Sequence, residues 1–285
     1  MKLSEEQIQR YSRQIILPGV GGKGQRKLAE AKVFIMGAGG LGSPAAIYLA
    51  AAGVGTIGLA DSDRVELNNL QRQILHRTCD VGLLKVESGK TTLESLNPEA
   101  RVQIHPERVT STNVREIIRS YNLCLDGSDN FPTRFLLNDA CYFEKKTLIS
   151  GAILRFHGQL STFKPHAGGH CYRCLFPEPP LPGMVPSCQE AGVLGVVAGI
   201  IGLFQANEAL KEILGIGQSM VGRFIEFDAL DLSFIEMKIQ KNPKCPLCGE
   251  NPTIKELFQY SQTCTCTPEP PVQGQCGMLQ KGVFG

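Results

Sequence analysis

Apolar residues along this chain fall into short compact runs separated by stretches of mixed polarity. Lys32–Met36 is such a run and predicts a buried strand. A glycine loop, Gly37-Ala-Gly39-Gly40-Leu-Gly42, follows at once, and residues 43–52, rich in alanine, predict a packed helix. Thr56–Ala60 predicts a second strand that ends at Asp61. This strand–loop–helix–strand unit has the length that a parallel crossover needs. The alternation then repeats: strand Arg101–His105, helix 113–120, strand 123–125 ending at Asp126, helix 132–143 and strand 147–150. Such a series predicts an α/β fold with a doubly wound, Rossmann-like, mostly parallel sheet.

Beyond Gly151 the period changes. His157–Phe163 alternates like an antiparallel strand, and residues 177–186 are proline-rich and predict an extended loop. Residues 192–214 predict one long helix whose small residues permit close packing, and 224–227 with 234–237 predict a strand pair. The amino terminus predicts a short amphipathic helix over 4–11. Periodicity ends near Ser261, so residues 261–285 are expected to be a mobile tail. The expected organisation is one domain over 1–260, with a nucleotide-binding part at about 30–150 and an antiparallel carboxyl-terminal part at about 151–260.

Composition adds limits rather than direction. A chain of 285 residues with 42% hydrophobic and 20% charged residues is an ordinary globular one. A net charge of +2 gives no overall sign of nucleic-acid binding. The polar amino terminus carries no secretory core, and the longest apolar stretch, 193–204, is interrupted by glycines and too short for a bilayer. A cytoplasmic protein without membrane contact is the expectation. Eleven cysteines then point to metal ligation or catalysis more than to disulfides.

The candidate chemistry begins at the glycine loop. Gly37, Gly39, Gly40 and Gly42 permit close approach of backbone to phosphate, and the helix that follows offers free N–H groups. Asp61, at the end of the next strand, can accept from ribose hydroxyls. These features alone leave a nicotinamide dehydrogenase and an ATP site equally open. The run Asp61-Ser-Asp63-Arg-Val-Glu-Leu-Asn68-Asn69-Leu-Gln-Arg72-Gln73, then Lys85, then Asp129-Asn130, shifts the balance. At the carboxyl ends of parallel strands these side chains converge on one crevice. Arg72 and Lys85 suit a triphosphate, and Asp129 suits Mg²⁺ beside it. Each charge alone reads as a solvated surface residue; the set does not.

With those residues in place, the chain resembles the MoeB/ThiF/HesA family of the ubiquitin-activating enzyme superfamily. The resemblance runs from about Arg10 to about Tyr260 and rests on residues 37–44, 61–73, Lys85 and 126–130. It implies adenylation, with ATP and Mg²⁺, of the carboxyl-terminal glycine of a small ubiquitin-like sulfur carrier ending in Gly-Gly (MoaD- or ThiS-like), for molybdopterin, thiamine or related biosynthesis. It implies that Arg13, in Arg10-Tyr-Ser-Arg13-Gln, reaches into the partner subunit's site, and hence a homodimer. No rhodanese segment follows, so a separate persulfide donor is expected. The rival readings are an NAD(P)-dependent dehydrogenase and a non-catalytic nucleotide-binding partner protein.

Two C-x-x-C pairs, Cys171/Cys174 and Cys245/Cys248, predict a closed tetrahedral Zn²⁺ site that clamps distant segments together. A redox pair or disulfides are the alternatives. Cys188 stands apart, between the proline-rich loop and the long helix, where a thiol at a helix amino end can act as a nucleophile. The alternative for Cys188 is a structural thiol. Cys79, Cys124 and Cys141 are expected in the core, no spacing assigns a role to Cys264, Cys266 and Cys276, and the five histidines show no metal-ligand spacing.

Overall fold

The computed structural model describes residues 3–181, 184–186 and 188–259. After three amino-terminal helices, α1 (Glu5–Arg10), α2 (Ser12–Ile15) and α3 (Gly21–Glu30), the chain runs β1 (Lys32–Met36), α4 (Gly42–Ala51), β2 (Thr56–Ala60), α5 (Lys85–Leu96), β3 (Arg101–His105), α6 (Val114–Arg119), β4 (Leu123–Asp126), α7 (Phe131–Phe143) and β5 (Thr147–Leu154). There follow β6 (His157–Phe163), α8 (Tyr172–Leu175), α9 (Cys188–Ala191), α10 (Gly195–Leu214), β7 (Arg223–Asp228) and β8 (Ser233–Lys238). All eight strands join one sheet in the order β3-β2-β1-β4-β5-β6-β7-β8. The first five are parallel and the last three pair antiparallel. This is the predicted mostly parallel sheet with an antiparallel continuation.

Strand alternation divides the core. Val33, Ile35, Ile57, Leu59, Leu123 and Leu125 face the layer packed against α4, α5 and α10, while Phe34, Cys124 and Leu148 face α6 and α7. Both faces of the parallel part are therefore covered, which is why its strands read as continuous apolar runs. The chain leaves β1 toward β2 and β3, then returns to add β4 on the other side. The crevice outside β1 and β4 is the topological switch point, where open α/β sheets place ligands. At the far edge, β8 is exposed along its whole length.

Three differences from the sequence-based expectations have local causes. The long helix starts at Gly195 rather than 192, because Gly192 takes a left-handed conformation at φ +78° and Val193 bridges to Arg155. α3 and α5 went unpredicted: α5 buries only Val86 and Leu93 as large apolar groups, and its Gly89 admits Leu59 and Leu75 where an apolar stripe would otherwise be read. Cys124 and Cys141 are buried as expected, but Cys79 is exposed on the single turn Thr78–Asp80. The carboxyl-terminal tail lies outside the described residues.

Candidate functional site

The glycine loop is built by backbone contact. Gly37 takes φ +93°, and a Cβ there would lie 2.8 Å from the Gly127 carbonyl oxygen. A Cβ on Gly42 would overlap the Gly37 carbonyl. The turn between β1 and α4 thus closes only without side chains, and it closes against the segment that leaves β4. The small face of α10 backs it: Gly202 sits against the Leu41 carbonyl, Gly195 against that of Gln71, and Ala198 beside Gly40.

Asp61 holds the loop from one side. Its carboxylate accepts from the Ala38 N–H and the Asp63 N–H, each at 2.9 Å. Burial pushes this carboxyl above the usual range, against the pull of Lys85 and of those two N–H donors. Lys85 is the first residue of α5; its side chain is 8% exposed and ends 3.0 Å from Asp63, which is 70% exposed. An ammonium buried to that extent with a solvated partner can transfer to a phosphate at little electrostatic loss. Arg72 donates to the Asn68 carbonyl at 3.1 Å, and its aliphatic stem passes 3.5 Å from the position of a Cβ on Gly40. Asn68 is exposed, whereas Asn69 is buried and accepts from the Glu66 N–H, which fixes the turn carrying Arg72. Gln73 is buried beside Gly39, and its Oε1 finds no hydrogen-bond partner among the described residues. The two cations beside a glycine cradle suit the phosphates of a nucleotide, and the unpaired Gln73 Oε1 can accept from a hydroxyl or amino group of the same ligand.

On the β4 side, Asn130 caps α7 by accepting from the Thr133 N–H at 2.9 Å and donates to Asp129 at 3.3 Å. Asp129 is exposed, next to the Gly127–Ser128 backbone that abuts Gly37. The fold therefore gathers Gly37, Gly39, Gly40, Gly42, Asp61, Asp63, Asn68, Asn69, Arg72, Gln73, Lys85, Asp129 and Asn130 around one crevice. It does not bring Arg13 there. Arg13 is on α2, whose Gln14 donates to the Ala52 carbonyl just past the carboxyl end of α4. The ten residues of α4, about 15 Å of helix, separate it from the loop within one chain. Cys188 starts α9, and its side chain lies outside the described residues.

Sequence reasoning missed His76, which is 6% exposed and reaches both the Ala38 carbonyl and Ser88. No spacing marks it, because its two partners come from two other segments, the glycine turn and α5. It also passed over Arg134 and Gln205. Arg134 pairs with Asp126, and Gln205 of α10 donates to the Asp126 and Ile149 carbonyls, tying the sheet to the helix behind the site.

The thiols of Cys171, Cys174, Cys245 and Cys248 all lie within 4.8 Å of one another. Cys171 and Cys174 flank the first turn of α8, and the other pair sits in a tight turn where Gly249 packs on the Cys245 and Pro243 carbonyls. The Asn242 and Cys248 N–H groups point at sulfur, each at 3.5 Å. α7 carries this corner: Asn138 accepts from the Tyr172 N–H, and Asp139 forms a two-point buried pair with Arg173 at 2.8 and 2.9 Å.

The ThiF family model matches residues 11–247. The chain belongs to the ThiF family. A relative from Thermus thermophilus, a "Sulfur carrier protein adenylyltransferase", is 50% identical over 268 residues, 93% of this chain and 99% of its own length. "Adenylyltransferase and sulfurtransferase MOCS3" from Aedes aegypti is 47% identical over 265 residues, and this chain spans 60% of its length. Among solved structures, E. coli MccB with MccA-N7isoASN aligns at a TM-score of 0.74 over 84% of this chain and 74% of that one, at 23% identity, a likeness of fold. Among the described residues, no helix of this ThiF chain is long and apolar enough to cross a membrane.

Proposed function

We propose that this ThiF-family chain is an adenylyltransferase that uses ATP and Mg²⁺ to activate the carboxyl-terminal glycine of a small ubiquitin-like sulfur carrier. The observation that carries the reading is the convergence of a glycine cradle, two cations and an exposed aspartate at one switch point. The names of the Thermus and mosquito relatives support the same reaction class. A terminal carboxylate, with a pKa near 3.5, is ionised at neutral pH and needs no general base. One of its oxygens attacks the α-phosphorus, the bond from that phosphorus to the bridging oxygen breaks, and pyrophosphate leaves. The barrier is repulsion between two anions and their alignment, so the site must neutralise and orient.

In this reading Lys85 and Arg72 take the phosphate charge, Asp61 accepts from the ribose, and the N–H groups of the glycine turn receive phosphate oxygens. Asn68, Asn69 and Gln73 shape the crevice around them. Asp129, oriented by Asn130, would hold Mg²⁺, which supplies charge neutralisation on the phosphates when bound. Arg13 completes the site of a second copy, since its own site is an α4 length away. The product, an acyl adenylate, would be attacked at its carbonyl carbon by the terminal sulfur of a separate persulfide donor, or first by the candidate thiol Cys188, with AMP leaving as the acyl–oxygen bond breaks. The four clustered thiolates would hold Zn²⁺ in a closed structural site, a set that fits soft, tetrahedral ligation and leaves no open position.

Exchange of labelled pyrophosphate into ATP, with carriers ending in Gly-Gly, tests the reaction. Lys85→Ala, Arg72→Ala and Asp129→Ala should each lower the rate by about 100-fold or more. A protein that binds ATP yet exchanges with no such carrier would refute the reading. For the metal, purified protein should contain one zinc per chain by mass spectrometry, lost in Cys245→Ser together with a fall in melting temperature.

A further inference from the structure

The Ala38 peptide sits at the centre of the glycine turn and is gripped on both sides. Asp61 accepts from its N–H at 2.9 Å, and the His76 Nε2 lies 2.9 Å from its carbonyl oxygen. The other ring nitrogen, Nδ1, lies 2.8 Å from Ser88 Oγ on α5, and Ser88 Oγ is 2.8 Å from Asp80 Oδ2. A carbonyl only accepts, so the contact to Ala38 requires the proton on Nε2. Burial lowers the His76 pKa, against the hydrogen bond to the Ala38 carbonyl, with Lys85 acting the same way as burial and Asp61 and Asp80 opposing it, so the ring is neutral near pH 7 and carries one proton. With Nε2–H in place, Nδ1 presents a lone pair to Ser88 Oγ, whose single hydroxyl proton is donated to Asp80 Oδ2 at 2.8 Å and must turn from it to reach the ring. The opposite tautomer would donate from Nδ1 to Ser88 and turn a lone pair toward the Ala38 carbonyl, loosening the turn.

We propose that His76 is a positioning residue for the nucleotide turn, acting through the Nε2–H tautomer that the Ala38 carbonyl requires. The proposal rests on the ATP-site reading above and adds a residue that need not touch the nucleotide. It makes α5, which also delivers Lys85, the support for the loop that faces the phosphates. Fixing the turn benefits bound ATP and the transition state alike, so its loss should appear in ATP affinity and leave kcat largely unchanged.

Two substitutions separate positioning from simple filling of space. In His76→Gln the side-chain amide can occupy the Nε2 position and donate to Ala38; in His76→Asn it can occupy the Nδ1 position and meet only Ser88. Titration calorimetry with ATP and Mg²⁺ should show the Asn variant binding roughly 5- to 10-fold more weakly than the Gln variant, the equivalent of one hydrogen bond. Their KM values for ATP in pyrophosphate exchange should split likewise at similar kcat. Equal affinities for the two variants, or the reverse order, would overturn the proposal. Histidine ring ¹⁵N shifts of the unmodified protein at pH 7 are an independent check: Nε2–H is expected, and Nδ1–H would refute it even if both variants misfold. The binding measurement stands apart from the adenylation reading, because ATP affinity can follow His76 whether or not any carrier supports exchange.

Discussion

Asp61 follows β2 and Asp126 ends β4, one on each side of β1, so two carboxylates flank the same glycine turn. Each is an acid at the carboxyl end of a parallel strand, and residue type does not tell them apart. A carboxylate has about four acceptor positions. At Asp126, which is fully buried, the Ser128 N–H and hydroxyl bond to one oxygen and the Ser150 hydroxyl to the other. The fourth position faces Arg134 Nε, an ion pair at 3.2 Å too bent for a hydrogen bond. At Asp61, among the described residues, only the two backbone N–H groups bond to the carboxylate, and the residue remains partly exposed. One aspartate is saturated by its own chain and welds strand to helix; the other keeps capacity for a ligand. Identical residues in symmetric positions take different roles according to what is left to accept.

The sharpest break of this contrast is Asp126→Ala. It strands the buried Arg134 guanidinium and should cost about 3–5 kcal/mol in urea unfolding. A loss below about 1 kcal/mol would mean that the Asp126 cluster is not structural. Asp61→Asn should do the reverse: ATP affinity weaker by roughly 10- to 100-fold, the worth of one charge-assisted hydrogen bond, with stability changed by less than about 1 kcal/mol. A smaller effect sharpens the difference through pH. Because burial raises the Asp61 pKa in the folded state, that state takes up its proton first as pH falls from neutrality. Relative to Asp61→Asn, the unmodified protein should therefore gain stability on acidification toward pH 4 and lose that gain as pH rises through the folded pKa. Parallel melting curves at several pH values read this directly, and a difference that moves the opposite way would show that the carboxyl is not desolvated.

The four-cysteine corner and the crevice at the glycine turn differ in how they were legible. Four cysteines in two C-x-x-C pairs announce their chemistry by type and spacing, and the fold brings all four thiols within 4.8 Å of one another. The glycine-turn side was half legible. Glycines, Arg72, Lys85 and Asp129 stood out because charged and conformationally special residues cluster along the chain there. His76, Arg134 and Gln205 did not, because each acts by reaching a backbone carbonyl or carboxylate far away in sequence.

Residue order alone carried the strand–loop–helix alternation, the position of the glycine turn and the identity of the four thiols. Those depend on local period, backbone freedom and ligand chemistry, which short segments express by themselves. Only the folded chain separated Asp61 from Asp126, placed Arg13 away from its own crevice and put His76 beneath the turn. Each of these follows from which distant donors occupy an acceptor once the sheet has wound in both directions from β1, and a list of residues does not contain that pairing.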